Sequence, residues 1–351
     1  MPVPILESNE YRTAQGITFR GSSNGRILKS SFQKSLGPDE VVVKVTHSGV
    51  CGTDLHYMMQ DMVLGHEAVG VVSSVGSACT IFKPGDRVGW GYEHYSCGSC
   101  TPCLTNEECH CLKAGYYGAS DFDQGSFSDI GVWKEKWLFR IPDGIKSEDA
   151  APLMCGGASC FSPLIEHCRP IDRVGIVGMG GLGHLAIQFA VKMGCEVVVF
   201  SRSESKHTDA LALGASAFYD IQHVPSDFSS LGITKPIDRL IITAASLVDI
   251  SQFYPVLSRK AIVIPLTATK ETLSVPYYDT LYNGVKIIPS MLSTRYMQTK
   301  MLEFAERHKI CPIIEKFPMT EAGIVAAIEK LKNGQIRYRA VLSWDYSNSR
   351  D

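Results

Sequence analysis

The spacing of hydrophobic and polar residues changes character near residue 155. Before that point, short stretches of alternating apolar and polar positions are broken by glycine, as at residues 41–45, 68–75 and 86–90. Pro-Asp at 38–39 and Pro-Gly at 84–85 supply turn signals. Alternation with period two between such turns is typical of half-buried β-strands. The first part of the chain is therefore predicted to be a compact β-barrel or sandwich with long loops.

From residue 173 onward, apolar runs alternate with helical segments. Strands are predicted at residues 173–177, 196–200, 217–219, 239–243, 261–265 and 285–289. After the first strand, one helix face is marked by Leu182, Leu185, Ala186, Phe189, Ala190 and Met193. A second short helix is predicted over 209–213. Six such strands are the number in a complete doubly wound parallel sheet of the Rossmann type.

The last segment carries predicted helices at 299–308 and 322–333 and a predicted strand at 340–344. We expect this segment to return to the first domain. The chain is thus predicted to be an α/β protein with two domains. Residues 1–155 and 294–351 form the β-rich domain, and residues 156–293 form the nucleotide-binding domain.

Composition narrows the class of protein. The chain has 351 residues, of which 45% are hydrophobic and 20% are charged, and a formal net charge of −2. Without a basic run, no nucleic-acid partner is expected. The N-terminus lacks a basic segment followed by an apolar one, and no apolar stretch reaches membrane-spanning length, so we expect a cytoplasmic protein. Its twelve cysteines are then interpreted as metal ligands and core thiols rather than disulfides.

Four cysteines follow one another with the spacing C-x2-C-x2-C-x7-C in a short loop, at Cys97, Cys100, Cys103 and Cys111. Four thiolates this close in sequence can converge on one tetrahedral zinc ion. Because a shell of four cysteines leaves no open position, the loop is predicted to be a structural zinc site. Cys109 lies inside the loop but exceeds the four ligands that such a site accepts.

A G-M-G-G-L-G motif follows the predicted strand 173–177 and opens the helix after it. In this context the motif predicts a dinucleotide site made by Gly178, Gly180, Gly181, Leu182 and Gly183. The glycines allow a tight turn, a close approach of the backbone to a pyrophosphate, and close packing of helix on strand. The helix N-terminus adds N–H groups for the phosphates.

The end of the second predicted strand indicates which nucleotide is bound. NAD is usually held there by a carboxylate on the ribose 2′-hydroxyl, but here the strand is followed by Ser201, Arg202, Ser203 and Lys206. The two cations and the serine hydroxyls suit a 2′-phosphate. NADP(H) is therefore the predicted cofactor, although Glu204 lies just beyond.

A second metal site is predicted from residues that lie far apart in the sequence. A catalytic zinc takes three protein ligands and keeps one open position, and two cysteines with one histidine are an accepted set. Cys51, His66 and Cys155 would supply it. Each alone would more often be a core residue. The four-cysteine loop and the dinucleotide motif make the metal interpretation the stronger one.

Several motifs together resemble the zinc-dependent medium-chain dehydrogenases/reductases, and among them the cinnamyl alcohol dehydrogenase branch. They are C-G-T-D-L-H at 51–56, G-H-E at 65–67, the cysteine loop at 97–111, A-P-L-M-C at 151–155, the glycine motif, S-R-S at 201–203 and R-Y-R at 337–339. The similarity spans nearly the whole chain. It implies a GroES-like catalytic domain, formed by both chain ends, with a Rossmann domain inserted between them.

The resemblance also implies residue roles. Cys51, His66 and Cys155 correspond to the catalytic zinc ligands, and Glu67 to a glutamate that approaches the zinc when the fourth position is free. Asp54 corresponds to the carboxylate that orients the ligand histidine. Thr53 and His56 correspond to the proton relay. Pocket residues are expected at Tyr92 and Tyr116, and a homodimer is expected through edge strands near residues 285–289, a region that contains Pro289.

One feature departs from the family pattern. Only residues 57–64, YMMQDMVL, separate His56 from Gly65, whereas the family has a longer segment there that borders the substrate entrance. We therefore expect an altered pocket. The methionines of this segment are expected to pack on the barrel, although methionine is also a common pocket lining.

The resulting hypothesis is a zinc-dependent alcohol dehydrogenase, acting mainly as an aldehyde reductase, that transfers hydride between NADP(H) and an aldehyde or primary alcohol. Aromatic and allylic substrates are included in this expectation. A specialised reductase of imines, iminium ions or conjugated alkenes remains an alternative. A non-catalytic NADPH-binding protein is the alternative from another class.

Overall fold

The alternating stretches and apolar runs form the strands of the computed structural model, which describes residues 13–224 and 227–345. In chain order the strands are β1 (Thr13–Arg20), β2 (Leu28–Ser35), β3 (Glu40–Val50), β4 (Ala68–Val75), β5 (Arg87–Trp90), β6 (Glu93–Tyr95), β7 (Gly115–Tyr116), β8 (Ile130–Lys134), β9 (Phe139–Arg140), β10 (Arg173–Val177), β11 (Glu196–Ser201), β12 (Ala217–Asp220), β13 (Ile237–Ile242), β14 (Leu257–Pro265), β15 (Lys286–Ile287), β16 (Ile314–Pro318) and β17 (Arg339–Ser343).

The α-helices are α1 (Gly52–Tyr57), α2 (Thr101–Leu104), α3 (Ser147–Pro152), α4 (Ala158–His167), α5 (Gly183–Lys192), α6 (His207–Ala212), α7 (Tyr277–Asn283), α8 (Arg295–His308) and α9 (Glu321–Lys332). Helix α8 begins four residues earlier than the sequence predicted. The Thr294 hydroxyl accepts a hydrogen bond from Met297 N at 3.3 Å and so fixes the first turn. That turn exposes Tyr296 and buries Gln298, so it does not follow the apolar pattern from which the helix was predicted.

Strands from the first part and from the end of the chain form one seven-stranded sheet. Its order is β16-β17-β3-β4-β5-β9, and β8 also pairs with β3. Strand β17 pairs antiparallel with β3, with Ala340 opposite Val50 and Ser343 opposite His47. The final segment of the chain thus pairs with β3 from the first part. Strands β1 and β2 form a separate antiparallel pair.

The middle of the chain forms a six-stranded parallel sheet with the order β12-β11-β10-β13-β14-β15. The chain starts at the centre with β10 and builds outward on both sides, which is the doubly wound arrangement. The predicted fold class, a GroES-like β domain with a Rossmann-type sheet, is confirmed. The edge strand β15 is shorter than predicted, because Pro289 has no N–H to extend the ladder.

Helices α3 and α4 are joined by a turn of π-helix, Leu153–Gly157, rather than by a loop. A π-turn contains one residue more than an α-turn between its hydrogen-bonded groups and often marks a functional site. Here it carries Cys155 at the boundary between the two sheets.

One hydrophobic cluster packs the two parts of the chain together. It contains Val69 and Leu153 from the first part, Val174 and Leu185 from the parallel sheet and its helix, and Tyr338 from the final segment. The turn that carries Cys155 lies close to the glycine loop, since a Cβ on Gly156 would lie 3.5 Å from the Leu182 side chain. Within the described ranges, no helix is long and apolar enough to cross a membrane.

The glycine loop provides a test of how closely α5 packs on β10. A Cβ on Gly183 would lie 2.0 Å from the backbone oxygen of Gly178, whereas a Cβ on Gly180 would meet no atom within 4 Å. We expect Gly183→Ala to lower the free energy of unfolding by about 1–3 kcal/mol, since a backbone carbonyl cannot yield cheaply. Urea denaturation followed by tryptophan fluorescence would measure the loss. Gly180→Ala is the matched control and should unfold like the wild type; an equal loss in both variants would contradict this account.

Candidate active site

Four side chains that are distant in sequence converge where the two sheets meet. The ligand atoms of Cys51, His66, Glu67 and Cys155 all lie within 4.8 Å of one another. Cys51 follows β3 and precedes α1, His66 and Glu67 precede β4, and Cys155 comes from the π-turn. Two thiols, one imidazole and one carboxyl group form a donor set that zinc accepts. The three predicted ligands are thus brought together.

A buried carboxylate organises this cluster. Asp54 accepts hydrogen bonds from Cys51 N at 2.8 Å, from the Tyr117 hydroxyl at 2.9 Å and from Gly65 N at 3.2 Å. His66 Nδ1 lies 3.1 Å from an Asp54 oxygen. Since Nδ1 faces the carboxylate, Nε2 is the ring atom left for a metal, and it is buried without a hydrogen-bond partner among the described residues. A metal ion would satisfy it.

The Cys51 sulfur favours the thiolate form. A hydrogen bond from the Cys155 thiol holds the pKa of Cys51 well below its ordinary value, and His66 acts in the same direction, although burial opposes both. A thiolate is the form of cysteine that ligates metals. The electrostatics of the cluster therefore suit a cation at its centre.

Glu67 points to a partner that the sequence analysis did not assign to the site. Both of its carboxylate oxygens accept hydrogen bonds from Nη2 of Arg339, at the start of β17. Burial raises the pKa of Glu67 to about 7, while the charge of Arg339 lowers it. Gly49 makes room for this pair, because a Cβ there would lie 1.8 Å from a Glu67 oxygen.

Thr53 and His56 share the short helix α1. The Thr53 hydroxyl lies 3.7 Å from the Cys51 sulfur, and its side chain is half-buried. His56 is exposed on the same helix. The helix thus carries one hydroxyl group beside the cluster and one imidazole at the surface.

The four-cysteine loop forms the second cluster. The sulfur atoms of Cys97, Cys100, Cys103 and Cys111 all lie within 4.8 Å of one another. Backbone N–H groups of Cys97 and Lys113 donate to the Cys111 sulfur at 3.5 and 3.4 Å. None of the twelve cysteines is in a disulfide. Tyr116 donates its hydroxyl hydrogen to the backbone oxygen of Cys109 at 2.6 Å, so this expected pocket residue braces the loop.

The glycine loop leaves space where a nucleotide phosphate would bind. Gly178 has φ +89°, and nothing lies within 4 Å of a Cβ built on Gly180. A Cβ on Gly181 would lie 3.0 Å from Nη1 of Arg339, so a guanidinium borders the loop. Leu182 instead packs against the hydrophobic core.

Three cations gather at the end of β11. Burial lowers the pKa of Lys206, and the charges of Arg202 and Arg337 lower it further. Arg337 Nε donates a hydrogen bond to an Asp209 oxygen at 2.6 Å. Asp209 lies on α6, one turn beyond Lys206, so this bond holds the Arg337 side chain close to Lys206. The sequence analysis did not assign Arg337 to this site, because it lies more than a hundred positions along the chain.

The serines and Glu204 complete the end of β11. The Ser201 hydroxyl oxygen accepts a hydrogen bond from Ser203 N at 3.3 Å. Glu204 lies 3.0 Å from a ring nitrogen of His207. Glu204 therefore interacts with His207 on α6 and does not take the place of a carboxylate at the end of β11.

A small cleft of about 30 Å³ lies beside Cys155. Its walls are formed by Tyr92, Glu93, Met154, Ala158, Ser159, Leu292, Ser293 and Gln298. The Tyr92 hydroxyl lies 3.1 Å from that of Tyr57, the first residue of the short segment 57–64. In that segment Met62 is fully buried, as expected of a core residue, while Met59 is 59% exposed.

Two family profiles match the chain. The profile described as Alcohol dehydrogenase GroES-like domain matches residues 37–143, and that described as Zinc-binding dehydrogenase matches residues 181–307. Cinnamyl alcohol dehydrogenase 8 of Arabidopsis thaliana is 32% identical over 94% of this chain and 95% of its own length. NADP-dependent alcohol dehydrogenase C 1 of Mycolicibacterium smegmatis is 33% identical over 88% of this chain and 92% of its own length.

The architecture agrees with these matches. The structure of a cinnamyl alcohol dehydrogenase from Sorghum bicolor superposes with a TM-score of 0.87 at 30% identity, covering 97% of this chain and 100% of the other. Both profiles, both sequence relatives and this structure lead to one assignment. The chain belongs to the zinc-dependent medium-chain dehydrogenase/reductase family, in its cinnamyl alcohol dehydrogenase-like branch.

Proposed function

We propose that the protein is an NADP(H)- and zinc-dependent alcohol dehydrogenase that acts mainly as an aldehyde reductase. The observation that carries this proposal is Nε2 of His66, which is buried without a partner among the described residues and lies close to the thiols of Cys51 and Cys155, the second of which lines the cleft. These three residues would hold the catalytic zinc. Relatives named cinnamyl alcohol dehydrogenase and NADP-dependent alcohol dehydrogenase support the reaction and the cofactor.

When bound, the zinc ion polarises the carbonyl group of the substrate and NADPH supplies the hydride. Asp54 holds the His66 ring in orientation for the metal. The Thr53 hydroxyl would deliver a proton to the reduced oxygen and regain one through the ribose hydroxyls of the cofactor from His56, which is exposed and exchanges protons with solvent.

Glu67 remains with Arg339 in this proposal. A buried carboxylate that loses a buried arginine partner is left with an uncompensated charge, which is costly. The pair therefore resists any approach of Glu67 to the zinc, the role that the family resemblance gives to Glu67. Arg339 is in addition a cation beside Gly181, where the cofactor pyrophosphate would lie.

Cofactor choice rests on the cations at the end of β11. Ser201, Arg202, Ser203 and Lys206 would bind the 2′-phosphate, with Gly178, Gly180, Gly181, Leu182 and Gly183 at the pyrophosphate. Arg337 adds a third positive charge from the final segment of the chain. Arg337 already pairs with Asp209, so a 2′-phosphate would chiefly relieve the repulsion between Arg202 and Lys206.

Assembly as a homodimer and a cytoplasmic location complete the proposal. The edge strand β15 follows α7, where Tyr277, Tyr278, Leu281 and Tyr282 are each 64–75% exposed. An aromatic face of this kind beside a sheet edge suits burial against a second copy.

The cytoplasmic location rests on the cysteines. All twelve lie outside disulfides, which suits a reducing compartment. The proposal also keeps the predicted domains, with residues 1–155 and 294–351 in the catalytic domain and residues 156–293 in the nucleotide-binding domain.

The catalytic metal assignment can be tested by Cys51→Ser. We expect this variant to hold one zinc ion per chain instead of two and to lose aldehyde-dependent NADPH oxidation, because a catalytic zinc with one thiolate fewer is bound weakly. Metal content by mass spectrometry is the primary measurement. Cys79→Ser, which changes a thiol outside both clusters, should keep two zinc ions. Two zinc ions and normal turnover in Cys51→Ser would refute the mechanism.

Cys100→Ser tests the structural cluster. This variant should lose the other zinc ion and also the fold of the loop, because structural-zinc binding energy is folding energy. Differential scanning calorimetry should show a lower Tm for Cys100→Ser than for Cys51→Ser. The reverse order of the two Tm values would show that the loop cluster is not the structural one.

Lys206→Met tests cofactor selection. Loss of one charge-assisted hydrogen bond should weaken NADPH binding roughly 10- to 100-fold. NADH binding should change little, since NADH has no 2′-phosphate. Titration of cofactor fluorescence measures both. The exposed Lys192 on α5 offers a matched control as Lys192→Met, and an equal loss for NADH in Lys206→Met would overturn the assignment.

A further inference from the structure

Glu93 is a buried carboxyl group that the chemistry above does not use. It begins β6, where it lies opposite Tyr116 of β7, and only 7% of the residue is exposed. Neither of its carboxyl oxygens has a hydrogen-bond partner within the described part of the chain. Burial raises the pKa of Glu93 to about 8, and the charge of Glu108 adds to the shift, while Arg295 opposes it.

Neighbouring buried carboxylates are satisfied. Glu108 accepts a hydrogen bond from Arg295 N at 2.8 Å. Glu135 accepts three, from the backbone N–H groups of Thr80, Ile81 and Phe82 at 3.0, 2.5 and 3.0 Å. A buried polar group without a partner destabilises the fold and is therefore rare unless a ligand completes it. Glu93 thus differs from carboxylates in the same domain that serve structure alone.

The position of Glu93 indicates which kind of ligand would complete its hydrogen bonds. Glu93 lines the cleft beside Cys155, where the catalytic zinc would be held. Ser159, Ser293 and Gln298 line the same cleft, so its wall presents several neutral polar groups. The Ser293 hydroxyl is hydrogen-bonded to that of Ser162 at 2.9 Å, and Gln298 Nε2 lies 3.7 Å from the Met154 sulfur, so Glu93 is the group that an entirely apolar aldehyde would leave without a hydrogen bond. A site built to hydrogen-bond a substrate discriminates strongly against analogues that lack the group.

We infer that Glu93 is a specificity-determining residue that binds a hydroxyl group of the substrate at a distance from the reacting carbonyl, so that the preferred substrates are hydroxylated aldehydes. This inference rests on the aldehyde reductase activity proposed above. A protonated carboxyl group both donates and accepts hydrogen bonds, as a hydroxyl group does. A cationic substrate would instead require an ionised Glu93, which its burial disfavours.

The test compares matched aldehydes on the zinc-loaded full-length protein. The three hydroxymethylbenzaldehydes are each compared with the methylbenzaldehyde of the same substitution, and kcat/KM is measured by NADPH absorbance. We expect at least one hydroxymethyl isomer to be preferred by about tenfold or more, the size of one hydrogen bond that is lost. In Glu93→Met the preference should disappear. In Glu93→Gln it should survive, because the amide also donates and accepts.

Controls separate this inference from the activity on which it rests. Glu107→Met removes an exposed acid near the four-cysteine loop and should keep the wild-type preference, and NADPH fluorescence verifies that each variant is folded. Wild type that reduces no aldehyde at all refutes the proposed function instead and favours imine or alkene reduction. Wild type without hydroxyl preference, or Glu93→Met with the preference unchanged, overturns the inference. A preference for 4-(dimethylaminomethyl)benzaldehyde over every hydroxymethyl isomer would also overturn it, in favour of a cation site.

Discussion

The Asp54 carboxylate is the interaction on which the active site depends. It is fully buried, and it satisfies its oxygens with two backbone N–H groups, one tyrosine hydroxyl and one imidazole. A buried charge is tolerated only when it is so satisfied. The same carboxylate therefore fixes the turn that follows β3, the chain just before β4 and the orientation of the His66 ring. Tyr92 and Tyr117 pack against that ring, with centroids 5.6 and 4.7 Å from its own, and so limit its rotation.

The final segment of the chain connects the two halves of the molecule at three successive residues. Arg337 pairs with Asp209 on α6, and the Tyr338 hydroxyl donates to the same aspartate at 2.6 Å. Tyr338 also stacks on His184 of α5, with ring centroids 5.1 Å apart. Arg339 then reaches Glu67 and the glycine loop. Because β17 begins at Arg339 and is hydrogen-bonded to β3, the metal cluster and both parts of the nucleotide site contact one short stretch of the chain that is anchored to the first sheet.

The sequence predicted those features that depend on the spacing of residues within a short stretch of the chain. The cysteine loop and the glycine motif lie in short stretches, and the parallel strands are continuous apolar runs, so the family and the fold could be predicted and are confirmed. The start of α8 was missed because its first turn exposes Tyr296 and buries Gln298, against the apolar pattern of a helix. Arg339 and Glu93 could not be assigned to a site, since their roles depend on which distant residues they meet or fail to meet. The roles given to the zinc ligands and the relay residues remain predictions, although the structure brings the ligands together.

The π-turn at Cys155 has a consequence for how the sequence can change in evolution. Residues 147–167 are continuous helix apart from this turn, and each residue of an α-helix rotates the next by roughly 100°. Deleting one residue from the turn would restore a regular helix and would rotate Cys155 away from Cys51 and His66. A regular helix has better backbone hydrogen bonds than such a bulge, yet here regularity would remove the Cys155 thiol from the cluster. We therefore expect related chains to vary in the length of their surface loops while keeping the length of this helical stretch constant.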